Sequence, residues 1–173
     1  MSNNGCLQNI LLVEDDENDI FFLRRAFKAA QIENPFYIVR NGQEAIDYLA
    51  GTGEFSDRTK FPLPCLMILD LKMPVKTGME VLEWKCQQPV LKGVPCIVLS
   101  SSAHRHDIER AYRFGANGFV VKPLSIEART ALARTIKGFW LEFNQPPLAC
   151  IEGLEQAMKF YARMDAPSFA PPE

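Results

Sequence analysis

The chain has 173 residues, of which 47% are hydrophobic and 23% are charged, and its formal net charge at pH 7 is -2. This length and composition are those of one ordinary globular domain and leave no room for two large ones. The charge is close to neutral and no block of basic residues is present, so nucleic acid and an anionic membrane are not expected as partners.

The amino-terminal residues and the cysteines carry no signal for secretion or for metal binding. The first nine residues are polar and no long apolar run follows them, so we expect no secretory signal, no membrane span and a cytoplasmic protein. The cysteines include no C-x-x-C pair, which favours reduced thiols that pack as small hydrophobic side chains over a zinc or redox site. These cysteines are Cys6, Cys65, Cys86, Cys96 and Cys150.

Short apolar runs alternate with segments of helical periodicity along most of the chain. This alternation predicts an α/β fold with five β-α units, in which helices cover both faces of a parallel sheet. The predicted strands are NILLVED, FYIVR, CLMILD, PCIVLS and GFVVK. The predicted helices span residues 17–30, 42–50, about 78–88, 106–115 and 125–144, and residues 51–64 are predicted to form a long irregular loop.

Residues 147–173 show a different pattern. Apolar side chains recur every three or four residues as far as Tyr161, which predicts an extra amphipathic helix, and a proline-rich end follows. The sequence leaves open whether this helix packs on its own domain or pairs with a second subunit or another partner. We expect one domain over residues 1–146 and a helix with a tail over residues 147–173.

Polar side chains follow four of the predicted strands. Glu14, Asp15 and Asp16 follow the first strand, Asp70 the third, Ser100 the fourth and Lys122 the fifth. In the flavodoxin-like strand order 2-1-3-4-5, ligands bind at the carboxyl ends of the strands, near neighbouring strands 1 and 3. Each residue alone would be an ordinary cap, turn residue or surface charge. The combined pattern favours one shared site.

Carboxylates that converge at a sheet edge need cations. Two unit charges about 4 Å apart repel by about 4 kcal/mol at an effective dielectric constant near 20. Lys122 supplies one positive charge, and Mg²⁺ typically binds one or two carboxylates together with water. Such a site could hold a phosphoryl group, with the Ser100 hydroxyl donating to one of its oxygens and Asp70 acting as the nucleophile.

Four segments together resemble the receiver domain of two-component response regulators: LLVEDDEND, ILDLKMPVKTG, IVLSSS and GANGFVVKP. The resemblance covers about residues 8–143 and implies the flavodoxin-like receiver fold, a doubly wound five-stranded parallel sheet. It also implies a sensor histidine kinase as the partner that donates the phosphoryl group. Such a protein is not an enzyme that acts on other substrates, although it assists its own phosphotransfer and slow dephosphorylation.

The resemblance implies a role for each acidic residue of the site. Asp70 corresponds to the phosphoryl acceptor and is also a Mg²⁺ ligand. Asp15 is the expected direct Mg²⁺ ligand of the acidic pair, and Glu14 is expected to bind the ion through a water. The backbone carbonyl of Lys72 is the third protein ligand. Asp16 falls outside the acidic pair and is expected to be peripheral.

The remaining motif residues correspond to the family's switch. Ser100 and Lys122 match its hydroxyl and lysine positions. In receivers the hydroxyl residue moves toward the phosphoryl group, an aromatic residue of strand 5 turns inward, and the surface of strands 4 and 5 changes. Phe119 occupies that aromatic position, where many relatives have a tyrosine. We therefore expect Ser100 and Phe119 to be the switch residues.

The long loop that contains FSDRTKFP is similar to the single-domain regulators paired with bacterial phytochrome histidine kinases. That similarity implies a phytochrome kinase as partner, a carboxyl-terminal extension and a homodimer. Residues 147–173 are too few for a winged-helix output domain, so the output is expected to pass through protein contacts.

Two other functions remain open on the sequence. The first is a phosphate-independent dimeric binding module that keeps the receiver fold. The second is a Mg²⁺-dependent phosphohydrolase, which needs a general acid near its nucleophile, whereas Lys72 stands two residues after Asp70. His104 and His106 lie in a polar segment and are expected at the surface rather than in the chemistry.

Overall fold

All five expected β-α units are present in a computed structural model of the chain, which describes residues 9–145. The strands are β1 (Ile10–Val13), β2 (Phe36–Val39), β3 (Leu66–Leu69), β4 (Cys96–Ser100) and β5 (Gly118–Val121). The helices are α1 (Glu17–Ala29), α2 (Gly42–Ala50), α3 (Gly78–Cys86), α4 (Arg105–Arg113) and α5 (Ile126–Ile136). The strands are shorter than the sequence runs because flanking residues, Glu14 and Asp70 among them, lie outside the ladder.

The five strands form one parallel sheet in the order β2-β1-β3-β4-β5, which confirms the expected flavodoxin-like order 2-1-3-4-5. Alternate side chains of β1 enter different core clusters: Leu11 and Val13 join one, whereas Ile10 and Leu12 join the other. Because helices cover both faces, the central strands β1 and β3 are apolar throughout rather than alternating.

Helix α5 extends beyond its regular part. A π-helical segment, Lys137–Phe143, follows it directly, and Asn144 caps the end. The helical stretch therefore ends where the periodicity predicts, although its last turns are wider than an α-helix. Gly115 follows α4 with φ +86°, a backbone conformation that glycine adopts without strain and that ends the helix as expected.

The long loop before β3 is more ordered than its composition suggests. It contains a 3-10 turn, Gly53–Ser56, and the Arg58 guanidinium donates hydrogen bonds to the carbonyls of Tyr48, Leu49 and Phe61 at 2.7, 2.7 and 3.1 Å. Two of these carbonyls belong to the last turn of α2, where carbonyl groups lack partners within the helix. The arginine thus fastens the loop to α2.

The predicted amphipathic helix after Pro147 and the proline-rich tail lie outside the described residues. Within them, Cys65, Cys86 and Cys96 form no disulfide bond, and Cys65 and Cys96 are buried as expected of small hydrophobic side chains. None of the helices found in residues 9–145 is long and apolar enough to cross a membrane.

Candidate functional site

The predicted site residues meet at the carboxyl ends of β1, β3, β4 and β5. Glu14, Asp70 and Ser100 are buried, while Asp15 is exposed at the rim. One oxygen from each of Glu14, Asp15 and Asp70 lies within 4.8 Å of the other two. A cluster of this size can share one divalent cation, since Mg²⁺ takes oxygen ligands at about 2.0–2.1 Å.

Asp70 is held at the end of β3 with one oxygen unsatisfied. Its backbone N–H donates to the Val13 carbonyl at 2.9 Å, and its Oδ2 accepts from the Lys72 N–H at 3.2 Å. Its Oδ1 is buried without a hydrogen-bond partner among the described residues. Burial raises the pKa of the Asp70 carboxyl, and the Lys122 charge opposes that rise. Such an oxygen is costly in the free protein and is suited to a ligand that supplies positive charge.

The loop after Asp70 is packed against the acceptor backbone at Gly78. A Cβ atom at Gly78 would lie 2.0 Å from the Asp70 carbonyl oxygen. The Gly78 N–H donates to the Leu71 carbonyl at 3.1 Å, and the Thr77 hydroxyl begins α3 in a reciprocal capping box with Glu80. Only glycine fits this close approach, so the motif's glycine fixes the backbone of the acceptor.

The same loop contains a tight turn centred on Val75. The Lys76 N–H donates to the Pro74 carbonyl at 2.8 Å, which closes a three-residue turn, and Val75 has φ +66°. A β-branched residue in this region of backbone space is strained. The Lys76 carbonyl in turn accepts from the Gly42 N–H at 3.1 Å, so α2 anchors the strained turn.

Lys122 is the cation that faces the acidic cluster. Its Nζ donates to Glu14 Oε2 at 2.7 Å and to Asp19 Oδ2 at 2.8 Å, and it lies 3.5 Å from Asp70 Oδ1. Burial lowers the pKa of the Lys122 ammonium, but the bonds with Asp19 and Glu14 and the Asp70 charge outweigh that effect and raise it. Burial raises the pKa of Glu14 to about 7 against the opposing influence of Lys122.

Two residues of this network were missed by the sequence reasoning, Asp19 and Arg129. Asp19 bonds Lys122 with one oxygen and accepts from Arg129 Nη2 with the other at 2.9 Å. Asp19 lies about one helical turn beyond the acidic run, a spacing that could have placed it near the same edge. Arg129 is 110 positions away, and no local pattern pairs it with Asp19.

The Asp16 side chain lies outside this network and caps α1. Its Oδ1 accepts from the backbone N–H groups of Asn18 and Asp19 at 2.8 and 3.1 Å. The aspartate therefore satisfies two of the donors that the first turn of a helix leaves free. Its position is peripheral, as the resemblance implies.

Ser100 is linked to the start of α4. Its Oγ is buried and accepts from the Ser102 N–H at 3.2 Å, while the Ser102 hydroxyl donates to Asp107 Oδ2 at 2.7 Å. Phe119 is half-buried and packs against the core cluster that includes Val98, its neighbour in β4. A movement of Ser100 would therefore alter the hydrogen bonds that link β4 to the start of α4.

The two histidines have no part in this site. His104 and His106 are exposed at the beginning of α4, as the polar sequence around them predicts. The ionisable groups that the structure places beside the acceptor include the Glu14 and Asp15 carboxylates and the Lys122 ammonium.

Comparison with known proteins agrees with this geometry. Residues 10–134 match the family model of the response regulator receiver domain. The chain belongs to this family. The match spans all five strands and most of α5, so the fold and the site residues lie within it.

Response regulators linked to phytochromes are among the similar proteins. Response regulator Rcp1 of Synechocystis sp. is 34% identical over 140 residues, which cover 81% of this chain and 93% of that protein. The structure of the phosphorylated cyanobacterial phytochrome response regulator RcpA matches with a TM-score of 0.76 and 32% identity, over 82% of this chain and 99% of that one. The Mn²⁺-bound form of Rcp1 matches with a TM-score of 0.73 and 33% identity, over 81% and 99%.

Proposed function

We propose that this response regulator accepts a phosphoryl group on Asp70 from a phosphohistidine of a sensor histidine kinase and signals through protein contacts. The observation that carries the proposal is the buried Asp70 Oδ1, which has no hydrogen-bond partner among the described residues and lies 3.5 Å from the Lys122 ammonium. Burial disfavours the ionised form of such a carboxylate unless a cation lies beside it. The free Asp70 oxygen is therefore suited to a site that supplies positive charge.

In the transfer, an Asp70 oxygen forms a bond to phosphorus while the bond between phosphorus and the histidine nitrogen breaks. Catalysis of phosphoryl transfer consists mostly of positioning and charge stabilisation. Lys122 offsets negative charge on the phosphoryl oxygens, and the Ser100 hydroxyl donates to one of them. The Ser100 contact with Ser102 carries the change toward α4, and Phe119 responds on the adjacent strand.

The residues present fit a Mg²⁺ ion. Asp15 and Asp70 would bind it directly, together with the backbone carbonyl of Lys72. Glu14 would bind through a water, because its Oε2 is bonded to Lys122 at 2.7 Å and its Oε1 accepts from the Asp16 N–H at 3.3 Å. When bound, Mg²⁺ supplies positive charge that offsets the carboxylates and the phosphoryl oxygens. The Mn²⁺-bound form of the relative Rcp1 supports a divalent cation here.

We assign a phytochrome histidine kinase as the donor. The similarity to RcpA, a phytochrome response regulator, and to Rcp1 supports this choice. The cytoplasmic location and the homodimer expected from the sequence belong to the same proposal. A phosphate-independent binding module is not favoured, because the acceptor, the lysine and the acidic pair meet in one place and the hydroxyl stands at the end of the neighbouring strand β4.

Phosphotransfer from a purified, autophosphorylated phytochrome histidine kinase tests this function. The wild type should take the label within minutes in the presence of Mg²⁺, and Asp70→Asn should take none. Asp16→Asn is the matched control, because it removes a neighbouring carboxylate while asparagine preserves the helix cap, and it should take label like the wild type. Labelling of Asp70→Asn at the wild-type rate would refute the assignment of Asp70 as the phosphoryl acceptor. Transfer from other histidine kinases but not from phytochromes would refute only the assigned donor.

A further inference from the structure

The Lys122 ammonium is shared between carboxylates in a specific order. It is 2.7 Å from Glu14 and 2.8 Å from Asp19, but 3.5 Å from Asp70. The first two separations are those of strong charge-assisted hydrogen bonds, whereas the third is beyond the usual range. In this state the lysine is held mainly by residues other than the acceptor.

A phosphoryl group on Asp70 would change this order. The ammonium has three N–H donors, and two already point to Glu14 and Asp19. At 3.5 Å the third N–H does not reach Asp70, so a shift of Lys122 toward a dianionic group there pulls against its bonds to Glu14 and Asp19. Glu14 is buried in the acidic cluster, where losing its cation is costly.

Asp19 is the carboxylate that can release Lys122 at lower cost. Its side chain is 24% exposed and its second oxygen is bonded to Arg129 at 2.9 Å, so a cation stays beside it when the lysine leaves. Arg129 is itself fixed by two further contacts: its Nε donates to the Pro123 carbonyl at 2.8 Å, and its guanidinium lies 5.2 Å from the centre of the Phe22 ring.

We propose that Asp19 is a positioning residue that holds Lys122 away from Asp70 in the unphosphorylated protein and yields it to the phosphoryl group. Arg129 sets the cost of breaking the ion pair between Asp19 and Lys122, because it remains beside Asp19 as the replacement cation. The inference rests on the proposed function, since it assumes that a phosphoryl group arrives at Asp70. It identifies Asp19 as a second group that competes with Asp70 for Lys122. Asp19 lies on α1 and is bonded to Arg129 of α5.

Binding of beryllofluoride, which imitates a phosphoryl group on a carboxylate, tests the inference by calorimetry in saturating Mg²⁺. Asp19→Asn removes the competing charge with little change of shape, so it should bind beryllofluoride about threefold to fivefold tighter, the size of one partly exposed ion pair. Arg129→Gln leaves Asp19 with Lys122 as its remaining cation, so it should bind about threefold weaker. Opposite signs distinguish competition from general damage to the site, which would weaken both.

Two further variants complete the measurement. The double variant D19N/R129Q should bind like Asp19→Asn alone, because Arg129 acts through the carboxylate that is now absent. Glu17→Gln removes a charge from the same helical turn, at a residue paired with Arg40 rather than Lys122, and should bind like the wild type. An equal gain in Glu17→Gln would mean a general field effect and would overturn the inference.

The outcomes separate this inference from the function on which it rests. If the wild type binds no beryllofluoride in saturating Mg²⁺, the proposed function fails and the inference falls with it. If the wild type binds but Asp19→Asn binds no tighter, or Arg129→Gln also binds tighter, the inference is overturned and the phosphoacceptor function stands.

Discussion

The Lys122 ammonium lies 2.7 Å from a Glu14 carboxylate oxygen, although 108 positions separate the two residues. Glu14 follows β1 and Lys122 follows β5, and two other strands lie between these in the sheet. The ion pair therefore spans the carboxyl edge of the sheet. Both side chains are nearly buried, with 4% of Glu14 and 10% of Lys122 exposed.

Removing the lysine should destabilise the protein. Lys122→Ala leaves Glu14, Asp19 and Asp70 without their shared cation, and loss of one partner of a buried pair costs about 3–5 kcal/mol. We expect a decrease of about 3 kcal/mol in the free energy of unfolding in urea at pH 7.5 without divalent ions. Lys92→Ala, at an exposed position, is the control and should change little. Equal effects of the two variants would contradict this role.

The metal-free protein should lose stability as the pH rises toward neutrality. The pKa of Glu14 is about 7 in the folded state and 4.5 in the unfolded chain, so the folded state binds this proton more tightly. The resulting stability is fully present below pH 4.5 and is lost as the pH rises through about 7, to a total of about 3 kcal/mol.

Urea unfolding at a series of pH values from 5 to about 7.5, in the presence of a chelator, measures this loss. Glu14→Gln stays neutral throughout, so its free energy of unfolding should fall less over the same range. Parallel curves for the wild type and this variant would show that Glu14 does not carry the effect.

Relieving the strained turn should stabilise the fold. Val75 is 78% exposed and has φ +66°, so Val75→Gly loses little packing and removes the strain of a Cβ atom in this region. We expect the free energy of unfolding to rise by about 0.5–1 kcal/mol, less than the full strain because glycine is more flexible in the unfolded chain. Val75→Ala keeps the Cβ and should show no gain. A loss of stability in Val75→Gly would show that the backbone at Val75 is not strained enough to lower the free energy of unfolding.

Removing residues 147–173 should weaken the homodimer. The apolar periodicity of this segment suits contact with a second subunit, although it suits packing on its own domain as well. We expect a chain that ends at Pro146 to shift toward monomer on a sizing column with light scattering. A truncated chain that remains as dimeric as the full chain would place the dimer contacts elsewhere.

Most of the fold follows from periodicity in the sequence. Apolar runs buried on both faces, as in β1 and β3, distinguish strands from the helices between them, and capping residues such as Asn41 and Ser125 mark helix starts. The structure buries Lys85 in α3 and leaves Trp84 half-buried, which the sequence does not predict because a lysine is rarely buried.

The site also contains residues that the sequence predicts and residues that it does not. The residues at the strand ends could be predicted because parallel strands bring their carboxyl ends to one edge. The Asp19 contact depends on the angle at which α1 leaves β1, and that of Arg129 depends on how α5 packs against α1. Spacing along α1 places Asp19 near the same edge, but its contacts with Lys122 and Arg129 join elements far apart in the sequence and have no local signal.

The most direct test of the central claim is the intact mass of the wild type and of Asp70→Asn after incubation with Mg²⁺ and acetyl phosphate. We expect one added phosphoryl group on the wild type and none on Asp70→Asn, and no added group on either protein when a chelator replaces Mg²⁺ during incubation. One added group on both proteins would place the acceptor at another residue. No added group on the wild type, together with no binding of Mg²⁺, would contradict the phosphoacceptor function itself.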